Sequence, residues 1–105
     1  MTEISVSELK RRVDAGEQLM VLDVREPSEL QTAALPFATP IPMGEIAGRL
    51  GELPHDRMIA VLCHGGVRSA HVTQFLRQNG YDKAVNIAGG IDAWSRAIDP
   101  SVPLY

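Results

Sequence analysis

Two continuous apolar runs, LMVLDV at residues 19–24 and MIAVL at 58–62, constrain this chain most. A strand with one wet face alternates apolar and polar residues. A run without alternation fits a strand buried on both faces, as parallel sheets require. A third, shorter candidate is KAVNI at 83–87. Helix signals lie between and around these runs. Ser5 and Glu8 have capping-box spacing, so the Ser5 hydroxyl can accept from the Glu8 amide while the Glu8 carboxylate reaches back to the Ser5 amide. Val6, Leu9 and Val13 then mark one face of a short helix, and Gly16 suits its end. Pro27 can open a second helix with Glu29 in its first turn. Residues 69–79 read as a helix with Val72, Phe75 and Leu76 inward and Gly80 as its stop. Gly89 and Gly90 make a turn, and Ile91, Trp94 and Ile98 suit a last helix, with Trp94 packing it onto the sheet.

Strands alternating with helices predict an α/β domain, a mainly parallel central sheet with helices on both faces. The 105 residues fit one domain, 1–105, with no repeat or linker. Prolines 36, 40 and 42 make residues 33–42 mostly loop or edge, with a brief strand near Ile41. Residues 43–50 are expected to form a short helix with Ile46 and Leu50 inward, and the tail PSVPLY is expected to be irregular.

Net charge is −3 and the pI about 5.5, which excludes long-range attraction to nucleic acid or an anionic membrane. No apolar run is long enough to span a bilayer, and MTEISVSELKRR lacks the basic-then-apolar order of a secretory signal. A lone cysteine forms no internal disulfide, so a reducing compartment, the cytoplasm, is the expected location and a monomer the expected state.

That cysteine, Cys63, follows the second apolar run in VLCHGGVRS. In open parallel sheets ligands bind beyond the carboxyl ends of the strands, where Cys63 falls. A thiolate is the nucleophilic form, and a free thiol has a pKa near 8.5, so a reactive cysteine needs its pKa lowered. The loop offers three means. Gly65 and Gly66 let successive amides, with those of Val67 onward, turn inward as an anion nest. Ser69 begins the following helix, whose positive end faces the loop. Arg68 adds a full positive charge, and His64 adds another when protonated. The competing reading is a cysteine that only packs. Cys63, His64 and His71 lack the fourth ligand and the pair spacing of a zinc site, so neither a metal nor a cofactor is expected.

The stretch VLCHGGVRSA resembles the active-site loop of rhodanese-like sulfurtransferases, with a cysteine, four intervening residues and an arginine. Two further segments resemble the same family in the right order: the helix and strand end of ISVSELKRRVDAGEQLMVLDVREPSEL, and NIAGGIDAWSRA near the end of the chain. The resemblance implies a rhodanese-like α/β fold and a double displacement. In that scheme the Cys63 thiolate takes the outer sulfur of a small anionic donor such as thiosulfate, or of a persulfide. The resulting persulfide, held by the loop from His64 to Ser69, passes its sulfur to a thiol, to cyanide or to a protein acceptor. Arg68 would attract the donor; His64 is open between donor binding and a solvated loop position. Asp23 and Arg25 are implied as supports of the site, the other reading being a salt-bridged strand end. Related phosphatases use five residues between cysteine and arginine; the four here, 64–67, suit one sulfur better than a phosphate. A persulfide carrier or redox-sensing module stands as the alternative, and a phosphatase or arsenate-reductase activity ranks below both.

One region departs from the family. Where Gly-His-Ile-Pro-Gly-Ala is usual, residues 33–38 read AALPFA. If the missing glycines take positive φ, Ala33 and Phe37 impose a different loop, with consequences for acceptor docking. Phe37 is a candidate for the surface.

Overall fold

The computed structural model describes residues 2–105. Five strands form one sheet: β1 (Glu3–Ile4), β2 (Leu19–Asp23), β3 (Ala38–Pro40), β4 (Met58–Leu62) and β5 (Ala84–Ile87). Their order is β1-β5-β4-β2-β3 and every pairing is parallel. The four α-helices are α1 (Val6–Asp14), α2 (Pro27–Thr32), α3 (Val67–Gln78) and α4 (Gly90–Ala97).

The uninterrupted apolar runs are explained by two cores, one on each face of the sheet. Val21, Ala60, Leu62, Val85 and Ile87 pack in one cluster with Val6 and Leu9 of α1 and Ile91 and Trp94 of α4. Leu22, Ile59, Val61, Cys63 and Ala84 pack in the other with Val72 and Leu76 of α3. Successive residues of β2 and β4 therefore feed opposite cores, as the strand's period of two demands. This is the expected α/β architecture with helices on both faces.

Several boundaries differ from expectation for local reasons. The Ser5 hydroxyl does accept from the Glu8 amide at 3.0 Å, but the Glu8 carboxylate turns to Arg11 instead of closing the box. Residues 43–50 do not form one α-helix. They form two 3-10 turns, Met43–Glu45 and Ala47–Glu52, the latter kinked at Arg49. Gly44, Gly48 and Gly51 make a continuous helix costly here. Ile46 is buried as expected, and Leu50 only partly. α3 starts two residues early, because Gly66 takes the left-handed conformation at its N-cap (φ 105°). β3 precedes Ile41, and its Pro40 sits on a sheet edge, where a missing N–H costs nothing. β1 was not expected: two residues are too short to show a period.

Candidate active site around Cys63

The carboxyl ends of β2, β4 and β5 lie along one edge of the sheet, and Cys63 leaves β4 there. Cys63 is almost fully enclosed, at 1% exposure. The Gly66 amide donates to Sγ at 3.1 Å, and the Ser69 hydroxyl lies 3.2 Å away. Because α3 begins at Val67, Ser69 falls in its first turn, and its hydroxyl and amide both face the sulfur. Burial pushes the Cys63 thiol up. The Ser69 hydroxyl, the Ser69 and Gly66 amides and the Arg68 charge outweigh this, so the thiol sits below its ordinary value.

Of the two loop glycines only Gly66 has a positive φ. A Cβ there would press on the Gly89 amide at 3.2 Å. Gly90 is more constrained still. With a φ of 60° it lies so close to the loop that a Cβ would collide with the carbonyl oxygens of Cys63 and His64. Those carbonyls accept from the first turn of α4, Cys63 from the Ile91 amide at 2.9 Å and His64 from the Asp92 amide at 3.1 Å. The start of the loop is thus clamped with its carbonyls turned toward α4.

Beneath the sulfur lies a polar residue inside an apolar strand. Asn86 of β5 is buried; its Oδ1 accepts from the Ser69 hydroxyl at 2.5 Å, and its Nδ2 donates to the Gly66 carbonyl at 3.3 Å. Its carboxamide therefore ties both sulfur-facing residues of the loop to the sheet. NI in KAVNI carried the signal: a strand buried on both faces has no reason to hold an asparagine unless it meets a partner.

Arg68 is not free. Its guanidinium makes a bidentate pair with Glu29 of α2, at 2.6 and 2.8 Å. The Arg68 pair draws the Glu29 carboxyl down to about 2, against the opposing effect of partial burial and with help from the Tyr105 hydroxyl. Asp23 and Arg25 are fully buried and paired, Arg25 donating to both carboxylate oxygens at 2.9 and 2.7 Å. Arg25 also donates to the Ala33 carbonyl at 2.8 Å and to the Tyr105 hydroxyl at 2.9 Å. Tyr105 in turn donates to Glu29 at 2.7 Å, and its ring stacks on His64 with centroids 3.9 Å apart. Asp23 and Arg25 thus join the site indirectly, through Tyr105, Glu29 and Arg68.

Glu29 signalled only a helix N-terminus, and Tyr105 gave no local signal at all. The tail is irregular as expected, yet it is fixed: Val102 is buried and its carbonyl accepts from the Ser95 hydroxyl. In the departing segment Ala33 is extended (φ −156°) and no residue other than glycine has a positive φ. Ala33 and Leu35 pack into the core, and the Phe37 ring lies against Trp94 at 5.5 Å while staying partly exposed. His71 is exposed on α3. Among the described residues no helix is long and apolar enough to cross a membrane.

Comparison with known proteins agrees with this geometry. The sequence profile of the rhodanese-like domain matches residues 5–97, and the chain belongs to that family. It is 35% identical over 96 residues to a sulfurtransferase of Allochromatium vinosum, covering 91% of this chain and 90% of that protein. A rhodanese-like domain protein from Staphylococcus aureus superposes with a TM-score of 0.86 at 33% identity, covering 100% of this chain and 99% of that one. A rhodanese-related protein from Thermoplasma volcanium gives 0.86 at 34% identity, with both chains covered in full. Other relatives are longer: the chain spans 50% of YrkF of Bacillus subtilis and 26% of MoeZ of Mycobacterium tuberculosis.

Proposed function

We propose that this protein is a sulfurtransferase that moves a sulfane sulfur through a persulfide on Cys63. The observation that carries the reading is a thiol held below its ordinary pKa by the Gly66 amide and the Ser69 hydroxyl in a closed, small loop. In the first step the Cys63 thiolate forms a bond to the outer sulfur of the donor. The donor's own bond to that sulfur breaks, and its electrons leave with sulfite, for thiosulfate, or with a thiolate, for a persulfide donor. In the second step an acceptor thiolate or cyanide attacks the outer sulfur, and Cys63 departs as thiolate. No electrons are gained or lost from outside; the charge is conserved at each step.

The roles of the neighbours follow from their contacts. The Gly66 amide is already placed to stabilise negative sulfur. The Ser69 hydroxyl, whose one proton goes to Asn86 Oδ1, turns it to the sulfur when the thiolate forms. Arg68 supplies a nearby positive charge that is shared with Glu29. Asp23 and Arg25 act as supports, holding Tyr105 and through it Glu29. The domain is proposed to act alone, as a monomer in a reducing compartment. Replacing Cys63 by Ser tests the reading: transfer from any sulfane donor to cyanide is abolished while the fold survives, and retained transfer would refute it.

A further inference from the structure

Both arginines at the cradle are paired. Arg68, in the first turn of α3, is locked to Glu29 by two hydrogen bonds of 2.6 and 2.8 Å. Arg25, the next nearest in the network, is locked to Asp23 and fully buried. Glu29 is itself held in place from two further sides, by its own bond to the Glu26 amide at 3.2 Å and by the Tyr105 hydroxyl at 2.7 Å. A rigid carboxylate therefore stands beside the guanidinium that an anionic donor would need.

We propose that Glu29 is a specificity-determining residue: by neutralising Arg68 it tunes the site toward a persulfide carried on a thiol and against a compact dianion such as thiosulfate. The proposal rests on the sulfur-transfer reading and names its donor class. The physical ground is charge at the reacting sulfur. Thiosulfate brings two negative charges to the cradle, and an arginine already shared with a carboxylate offset them only weakly. A persulfide, RS–SH, brings at most one. Cys63 Sγ bonds to its outer sulfur, the S–S bond of the donor breaks, RS⁻ leaves with the electron pair, and the proton stays on the transferred sulfur. Tyr105 belongs to the same device, because its hydroxyl fixes the carboxylate that does the neutralising.

The test follows the loading of Cys63 by intact mass over time, with cysteine persulfide and with thiosulfate as donors, in the full chain. The wild type is expected to load faster from cysteine persulfide. Glu29→Gln keeps the shape and removes the charge; it is expected to shift the ratio of loading rates about tenfold toward thiosulfate. Thiosulfate loading should also become more sensitive to salt, a response that mere loosening of the loop would not give. Tyr105→Phe, which removes only the hydroxyl, is expected to shift the ratio the same way by less. A wild type that prefers thiosulfate, or a ratio unmoved in Glu29→Gln, overturns the proposal. Should Glu29→Gln fail to fold, an unmoved ratio in Tyr105→Phe overturns it. If neither donor loads wild-type Cys63, the sulfur-transfer reading falls and takes this inference with it; loading by both donors with a ratio indifferent to Glu29 removes the inference alone.

Discussion

At the scale of the residue, Cys63 is buried but surrounded by donors, and the balance between those two facts sets its chemistry. Desolvation alone would make it an inert core thiol. The Ser69 hydroxyl, when its proton turns from Asn86 to the sulfur, the Ser69 and Gly66 amides and the Arg68 charge reverse that. Ser69→Ala is therefore expected to raise the Cys63 pKa by up to about one unit, since a hydrogen bond to a charged sulfur contributes about 1.4 kcal/mol or more and the hydroxyl gives up its bond to Asn86 to make it. The pH profile of alkylation by iodoacetamide checks this; an unmoved midpoint would mean the backbone amides suffice. Gly90 gives a second prediction. Gly90→Ala drives a methyl into the Cys63 and His64 carbonyls at a φ that side chains avoid. It is expected to destabilise the domain by about 2–4 kcal/mol, read by urea denaturation.

At the scale of the element, the sheet brings the site together by aligning the carboxyl ends of its strands. The apolar runs at 19–24 and 58–62 made the parallel sheet legible, because only a sheet covered on both faces tolerates them. VLCHGGVRS made the nucleophile legible, because strand, glycines and helix start appear in order along nine residues. The helix start was displaced by the left-handed Gly66, a conformation that composition alone does not fix. What was not legible came from distant chain: Glu29 meets Arg68 and Tyr105 only through tertiary packing, and no local pattern announces a partner 39 or 76 residues away. Asp23 and Arg25 fall between these cases. Their pairing at a strand end could be read, but not their link to the site. With both side chains fully buried, Arg25→Ala leaves an unpaired carboxylate and is expected to cost about 3–5 kcal/mol, whereas replacing both partners by apolar residues of similar volume costs less. Chemical denaturation of the single and double variants compares them; a double variant as unstable as the single would show that the cost is one of shape.

At the scale of the whole molecule, Glu29 joins three segments far apart in sequence: α2, the first turn of α3 and the tail at Tyr105. Its effect on stability has a definite sign. The folded carboxyl titrates at about 2 and its ordinary value is 4.5. A depressed carboxyl stabilises the fold fully above the ordinary value and loses that contribution as pH falls from about 4.5 toward about 2. Thermal melts across this window are expected to show a shallower acid decline for Glu29→Gln than for the wild type; parallel curves would show that the pair contributes nothing to the fold. The same network reaches the departing segment at Ala33. Although the family's glycines are absent, the segment needs no strained backbone, because Ala33 is extended and its carbonyl is tied to Arg25.

The central claim, that this fold exists here to carry sulfur on Cys63, is tested most directly by intact-mass measurement of the protein before and after exposure to a sulfane donor. The account predicts a gain of about 32 Da, one sulfur, reversed by cyanide and absent in Cys63→Ser. An unchanged mass in the wild type with both cysteine persulfide and thiosulfate, or an equal gain in Cys63→Ser, would contradict it.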